Sequence, residues 1–280
     1  MPAYNAAPWI AETISSLLKQ TFEDFELLIG DDGSTDNTRA IIEVFAQKDQ
    51  RIKLHLLNHG GVVAARNTLL QASEGQFVMF HDADDLSVPE RMQRQVRHLQ
   101  QLPKCVAVSS NIEKFTGVPA WPAAVDLTIS PSVITLTSRL SGLGYHKKNF
   151  PFPACMVRTA VAQNIGGFRP YFSYAEDADF IYRLEENGEL AVLDETLFLY
   201  RQHATNTSKR APYLQTESSV LSRTFALRRR RGKSDLVQAW QPPFWRMFTS
   251  GLSPVEIAQT LVVVAYRYVW RRLKNAKQKQ

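Results

Sequence analysis

The stretch Phe25-Glu26-Leu27-Leu28-Ile29-Gly30-Asp31-Asp32-Gly33-Ser34-Thr35-Asp36 decides how this chain is read. Its first part, Phe25 to Ile29, is a short apolar run of the strand type, and its second part is a Gly- and Asp-rich turn. From Thr35 to Gln47 the period changes, with Ile41, Ile42 and Phe45 forming a helical stripe. The same pattern returns downstream, where Phe77 to Phe80 reads as a buried strand, His81-Asp82-Ala83-Asp84-Asp85 as a turn and Val88 to Leu102 as an amphipathic helix. Working outward, Pro8 to Gln20 places Ile10, Ile14, Leu17 and Leu18 on one helical face, with Pro8 suited to a first turn. Ile52 to Leu57 and Val106 to Ser109 read as strands, and Gly61 to Ala72 as a helix. Strand and helix alternating four times predict an α/β fold with a doubly wound, parallel sheet.

Beyond residue 110 the rhythm weakens. Residues 111–150 carry Pro119, Pro122, Pro131, Gly142 and Gly144 and read as loops with short extended pieces. Order returns at Ala154 to Val157, with a helix from Glu176 to Glu186 and strands at Leu190 to Leu193 and Leu197 to Tyr200. From about Leu214 the chain reads as basic helices broken at Gln241-Pro242-Pro243.

Ligands of open α/β sheets bind beyond the carboxyl ends of the strands, and both acidic clusters fall there. Carboxylates so close together repel unless a cation or a hydrogen-bonding ligand meets them. Three aspartates in four residues, Asp82, Asp84 and Asp85, offer hard oxygen ligands suited to Mg²⁺ or Mn²⁺ with retained waters and phosphate oxygens. A plainer reading has Asp31 to Asp36 merely capping the next helix, with Thr35 or Ser34 as N-cap, although a cap needs one such residue rather than three aspartates.

Seven motifs in order carry a resemblance: Pro-x-Tyr-Asn (2–5), Asp-Asp-Gly-Ser-Thr-Asp (31–36), Gly-x-x-x-Ala-Arg-Asn (61–67), Asp-Ala-Asp-Asp (82–85), Gly-Gly-Phe (166–168), Glu-Asp-Ala-Asp (176–179) and Tyr-Arg-x-His (200–203). Together they resemble family 2 glycosyltransferases of the GT-A fold, whose sheet is doubly wound and mixed. The resemblance implies a glycosyltransferase domain over 1–208 and leaves 209–280 as a basic helical tail. It implies that Asp31 hydrogen-bonds the nucleobase of a nucleotide diphosphate-sugar donor with Asp32 beside it, and that Tyr4 and Asn5 line the base pocket. Arg66 would lie near the nucleotide. Asp82 would meet the ribose or the waters of a Mg or Mn ion, Asp84 would bind that ion, and His203 would complete the metal or diphosphate site. Asp177 matches the catalytic base, with Glu176 and Asp179 as rivals.

Sugar transfer from such a donor needs a neutralised leaving diphosphate, a base for the acceptor hydroxyl and partners held in line. One base and no protein nucleophile imply single displacement with inversion. The Gln-x-x-Arg-Trp motif of processive synthases is absent, which favours a single-transfer enzyme acting on a glycan or glycolipid acceptor in cell-surface polysaccharide or glycolipid synthesis. Members of this family open with an apolar strand ahead of Pro-x-Tyr-Asn. This sequence starts inside that motif, so an apolar strand upstream, or a truncated product, is expected.

Charge is unevenly spread along the 280 residues. Residues 1–200 hold 17 Lys/Arg and 24 Asp/Glu, a net −7, whereas 201–280 hold 16 and 3, a net +13. Arg228 to Arg231 form a run, and Val262, Val263, Tyr266, Val269 and Trp270 interleave with Arg267, Arg271, Arg272, Lys274, Lys277 and Lys279. That pattern suits a helix lying on an anionic membrane surface or packing one face on the protein body. No apolar run approaches the ~20 residues of a spanning helix, no secretory signal is visible, and nucleic-acid binding is not expected. The expected location is therefore cytoplasmic, peripheral on the inner face of the membrane. Cys105 and Cys155 fit no metal or disulfide spacing and read as buried thiols. His55, His98 and His146 read as structural or exposed, and His59 and His81, beside motif residues, as candidates for donor contact. Two competing classes stay open: a non-catalytic nucleotide-sugar or membrane-binding relative, and a nucleotidyltransferase, which usually needs a Gly-rich basic triphosphate loop not seen here.

Overall fold

Apolar residues spaced three and four apart, and short β-branched runs between them, build the described part of this protein as layered helix and sheet. The computed structural model describes residues 1–128, 131–136, 150–206, 212–234, 253–255 and 257–258. The chain divides into two compact units, Met1–Gly167 with Leu184–His203, and Phe168–Arg183 with Ala204–Gln280.

In the first unit, β1 (Pro2–Ala3), β2 (Leu27–Asp31) and β3 (Ile52–Leu56) form a parallel three-stranded sheet in the order β1-β2-β3. α1 (Ile10–Leu18), α2 (Thr38–Ala46) and α3 (Gly61–Ala72) connect these strands and follow β3. The spacing seen in the sequence is used as predicted: Ile10, Ile14 and Leu17 of α1 are fully buried and cluster with Ile29, Ile42 and Ile52. β4 (Phe77–Met79) and β5 (Leu86–Ser87) flank the second acidic turn, and α4 (Arg91–Gln101) follows them.

The second sheet is mixed. Its order is β4-β8-β6-β9-β5, where β6 is Cys105–Phe115, β8 is Met156–Arg158 and β9 is Glu189–Arg201, with β7 (Val133–Leu136) paired to β9. β6 and β9 run parallel, while the β4–β8, β6–β8, β5–β9 and β7–β9 pairs are antiparallel. The α/β class is as the sequence predicts, but its alternation predicted one parallel sheet; the strands from residue 77 onward instead sort into a separate mixed one. A short 3-10 turn (Phe152–Ala154) and α5 (Thr159–Asn164) flank β8. Val96, Leu99, Val108, Met156, Leu193 and Leu197 fill the core on this sheet. Cys105 and Cys155 are buried and unbridged there.

Two sequence runs, 190–193 and 197–200, merge into the single strand β9. The polar residues between them form an irregularity where Ser110 pairs Leu193 and Asn111 pairs Thr196. Asp194 there accepts from Asn111 Nδ2 at 3.0 Å, and Glu195 from Arg94 at 2.7 Å. Ladder bonds belong to the backbone, so a polar pair that finds side-chain partners passes through as a bulge rather than ending the strand.

Among the described residues β1 pairs only with β2, and β4 only with β8. A cavity of about 650 Å³ touches both strands and is lined by Met1, Leu28, Leu70, Val78, Met79 and Val96 among others. The Met1 ammonium donates to Leu28 O at 2.7 Å. Burial, and after it the charge of Arg66, lowers its pKa to about 5. The apolar part of the cavity wall, beside charged residues such as Glu26, Lys53 and Arg66, and the strand edges that no described strand pairs could take one more strand. Five apolar, β-branched residues added by design ahead of Met1 are expected to raise the Tm, by roughly 2–4 °C for each kcal/mol gained. Calorimetry checks this against an extension of equal length made of Ser and Asp. If the apolar extension melts no higher than the polar one, the cavity does not accept a strand.

The second unit holds the first part of α6 (Glu176–Glu185), together with α7 (Pro212–Arg230). Tyr171, Phe172, Leu221 and Phe225 form its buried aromatic and aliphatic cluster. α7 realises the beginning of the basic helical region. The Gln241-Pro242-Pro243 break, the interleaved stretch from Val262 to Lys279 and His146 lie outside the described residues. Among the described residues no helix is long and apolar enough to cross a membrane.

Candidate active site

Backbone amides, not ligands, take up much of the first acidic turn. Asp32 is 4% exposed and accepts the Gly60 and Gly61 N–H groups at 2.9 and 2.8 Å, one on each carboxylate oxygen. It thereby fixes the turn that begins α3, where unpaired amides and the helix dipole favour an anion. Asp36 accepts the Thr38 hydroxyl at 2.5 Å and amide at 2.9 Å, and the Ala7 amide at 3.1 Å. These bonds hold its carboxyl below the usual range despite the opposing cost of burial, which is the largest influence on it. Neither Ser34 nor Thr35 caps the next helix: Asn37 stands at the N-cap of α2 and makes no side-chain cap bond, while Asp36 takes the amide of Thr38. Asp31, equally buried, accepts the Ser34 amide at 3.3 Å.

Asn5 also serves the turn. Its side-chain oxygen accepts the Thr35 amide at 2.8 Å, its own amide donates to Ser34 Oγ at 3.0 Å, and its backbone is left-handed, φ 49°. Asparagine tolerates that conformation better than most residues. Tyr4, 47% exposed, stacks on His59 with ring centroids 4.3 Å apart.

The second turn gathers more charge. Arg66, on α3, donates to Asp82 at 2.8 Å, and its guanidinium lies over Phe152 at 5.1 Å. His203 Nε2 lies 2.8 Å from Asp84 Oδ2. The imidazole is stacked on Trp9 at 4.0 Å and 20°, which fixes the ring plane and aims the nitrogen. Burial, then the charge of Asp82, raises the Asp84 carboxyl above its ordinary value, against the pull of His203.

Asp85 is fully buried. One oxygen accepts the Arg201 backbone N–H at 2.7 Å, while Oδ2 has no hydrogen-bond partner among the described residues. Its carboxyl is pushed well up, first by burial and then by Asp84 and Asp82. The Arg201 side chain donates to Asp84 O at 2.7 Å and to Glu12 at 2.6 Å. Arg201 thus ties α1, the acidic turn and the end of β9 together, two residues before His203. His81, by contrast, is enclosed. Its nitrogens lie 2.7 Å from Asp82 O and 3.0 Å from Ser87 Oγ, and burial lowers its pKa to about 3. It supports the turn with both ring nitrogens already engaged.

A carboxylate with a raised folded pKa contributes stability that is present when protonated and lost as pH rises through that pKa. Asp85→Asn keeps an oxygen for the Arg201 amide and removes the charge. In cation-free buffer at neutral pH the variant is expected to melt about 3 °C or more above the parent. The difference should vanish near pH 4, close to the ordinary aspartate range. Asp85→Ala, which leaves the Arg201 amide unmatched, should show no gain. Equal melting of the Asn variant and parent across that pH range would refute the assignment of Asp85 as an unfavourably buried charge.

Among the described residues no three His, Cys, Asp or Glu side chains converge to hold a metal ion alone. The carboxylates of Asp84 and Asp82 are hard oxygen donors of the kind Mg²⁺ and Mn²⁺ take together with phosphate and water, and His203 sets an imidazole nitrogen beside them.

In the second unit, the three acidic candidates separate. Asp179 is fully buried between Arg169 and Arg183, taking Arg169 Nε at 2.8 Å with a second, shorter bond from its Nη2, and Arg183 Nε at 2.9 Å. Asp177 and Glu176 are partly exposed in the first turn of α6. Asp177 accepts the Ala178 amide at 2.9 Å. Just before the helix, Ala175 adopts φ 49°, a conformation that costs a non-glycine residue energy and often marks functional segments.

Sequence reasoning missed Trp9, Glu12 and a role for Arg201. The spacing Arg201-x-His203 put the last of these beside a candidate ligand, but nothing in the chain pairs it with Glu12.

The profile described as "Glycosyl transferase family 2" matches residues 1–234. The glycosyltransferase EpsJ of Bacillus subtilis is 29% identical over 221 residues, covering 76% of this chain and 62% of its own. The Escherichia coli protein named UDP-Glc:alpha-D-GlcNAc-diphosphoundecaprenol beta-1,3-glucosyltransferase WfgD is 43% identical over 97 residues, covering 34% of this chain and 38% of its own. The chain thus spans from about two fifths to three fifths of the length of these relatives. In fold it is similar to S. aureus TarS in complex with UDP-GlcNAc, with a TM-score of 0.65 at 22% identity over 93% of this chain and 68% of that one. A mannosyltransferase from Pyrobaculum calidifontis in complex with GDP-Man and Mn²⁺ gives a TM-score of 0.56 at 16% identity over 95% and 73%. With the match extending over most of its length, and with both acidic turns at strand ends, this chain belongs to glycosyl transferase family 2.

Proposed function

We propose that this protein is an inverting, metal-dependent glycosyltransferase that moves a sugar from a nucleotide diphosphate donor to a hydroxyl of a glycan or glycolipid acceptor, in cell-surface polysaccharide synthesis. The observation that carries this reading is the Asp84–His203 pair, set 2.8 Å apart beside the Asp82–Arg66 ion pair at the ends of β4 and β9.

A Mg²⁺ or Mn²⁺ ion held by Asp84 and His203 would act as a Lewis acid on the leaving diphosphate. Asp82 would meet the ribose or the ion's waters, and Arg66 would place its planar fork near the nucleotide. Tyr4 would offer its exposed ring to the base, with Asp31 as hydrogen-bond acceptor. Asn5 and Asp32 would serve this pocket from behind, by holding the two loops that form it. Asp177 would take the proton of the acceptor hydroxyl. Asp179 is a poor candidate for the base, because it is fully buried and its oxygens are taken by Arg169 and Arg183. The relative named for a diphosphoundecaprenol substrate supports a lipid-linked acceptor. The basic tail from residue 209 would then keep the enzyme at an anionic membrane surface on the cytoplasmic side.

Thermal shift with a panel of nucleoside diphosphates, with and without Mn²⁺, tests the reading. Ligand linkage should raise the Tm for one base in particular and only with the cation. A panel without any cation-dependent rise would overturn it.

A further inference from the structure

In the sequence His59 is a candidate for donor contact only by its place beside motif residues, whereas the structure gives it a defined position. Its Nδ1 lies 2.8 Å from the Asp32 carbonyl oxygen and 3.4 Å from Asp32 Oδ2. Both neighbours are acceptors, so Nδ1 carries a proton, and in the neutral ring Nε2 is left as an acceptor. The side chain is 58% exposed and stacked on Tyr4, itself about half exposed. The loop beneath is clamped by the Asp32 carboxylate through Gly60 and Gly61. Gly33 makes room for the backbone and Cβ of His59. It has φ +75°, and a Cβ there would come within 3.3 Å of the His59 Cβ.

A buried acid, two glycine amides and a tight glycine turn therefore hold an aromatic pair open to solvent beyond the ends of β1 and β3. Both rings keep exposed surface on which a further flat partner can stack. The partner such a platform fits is a planar heteroaromatic ring, which stacks on an aromatic face and is read at its edge by one acceptor. Phosphate fits it poorly, since two aromatic faces and a nitrogen lone pair offer an anion nothing.

We propose that His59 is a nucleobase-contacting residue that, with Tyr4, forms the stacking platform for the donor and, through Nε2, helps to select the base. This deepens the reading given above and rests on it. The Tyr4 ring alone supplies stacking; His59 adds the edge contact and stiffens the platform.

Calorimetric titration of Mn²⁺-loaded protein with UDP, GDP, CDP and ADP tests this, with inorganic pyrophosphate as a ligand that has no base. His59→Ala should weaken the preferred nucleoside diphosphate by roughly tenfold, the range expected for loss of a base contact, and leave pyrophosphate affinity unchanged. His59→Phe should recover most of the lost affinity through stacking but narrow the spread of affinities among the four bases, because the acceptor is gone. If the parent prefers one base and both variants bind all ligands as the parent does, the inference is wrong while the function stands. If His59→Ala weakens pyrophosphate as much as the nucleotide, the residue serves only the loop, and the inference again fails. Should the parent bind no nucleoside diphosphate, the function and the inference fall together.

Discussion

Asp177→Asn is expected to leave donor binding intact and to lower sugar transfer by ~10²-fold or more, the range for loss of a general base. The amide is close in shape, still offers an oxygen to the Ala178 N–H and keeps the first turn of α6 intact. What it cannot do is take a proton at neutral pH. Transfer kinetics at saturating donor, together with nucleotide titration, separate these effects. The expected result is a fall in kcat with unchanged nucleotide affinity. Asp179→Asn should behave differently. It leaves Arg169 and Arg183 around an uncharged partner in a buried position, and breaking such a pair costs ~3–5 kcal/mol. Its signature is a lowered Tm. Near-normal turnover in the Asp177 variant would move the base to Glu176, the other partly exposed carboxylate of that turn.

Asp84→Ala is expected to abolish the cation dependence of nucleotide binding. The parent should bind its preferred nucleoside diphosphate more tightly with Mn²⁺ than without, and the variant equally with and without. The loss should be on the order of 10²-fold, because the ion contributes several kcal/mol to the diphosphate. His203→Ala should show a smaller effect of the same kind, since it removes one ligand and keeps the carboxylate. Burial and the Asp82 charge raise the Asp84 carboxyl, so protons should compete with the cation from higher pH than for an ordinary aspartate. Affinity for Mn²⁺ should accordingly fall as pH falls, with the decline starting above the usual aspartate range near 4. Titration of the variant that still shows a Mn²⁺-dependent gain would remove Asp84 from the site.

The fold class was legible because periodicity is a local property. Ile10, Ile14 and Leu17 had to share a face once helical, and all three are buried. Gly61 to Ala72 begins and ends in the structure where the sequence places it, since both boundaries are marked by glycine and serine chemistry in the chain itself. The acidic turns were legible for a similar reason: an apolar strand, buried in β2 and half-buried in β4, followed at once by several aspartates has one place to put them, beyond the strand's carboxyl end.

The division of labour among those aspartates was decided only by tertiary structure. In sequence Asp31, Asp32 and Asp36 are alike, as are Asp82, Asp84 and Asp85. Their partners lie far along the chain: Gly60 and Gly61 for Asp32, the Arg201 amide for Asp85, His203 for Asp84. A carboxylate whose oxygens are filled by backbone amides is part of the scaffold, and one that faces an imidazole over an acidic turn can take a cation. That difference depends on which distant group the fold delivers within about 3 Å, the reach of a hydrogen bond. The same holds for Asp177 and Asp179. Two residues apart on one helix, they point to different sides, and only packing decides that Asp179 is the one enclosed by Arg169 and Arg183. Sequence by itself determined which residue types gather at the strand ends; the tertiary structure decided which of them are already satisfied, because hydrogen-bond partners are chosen by distance in space and not by separation along the chain.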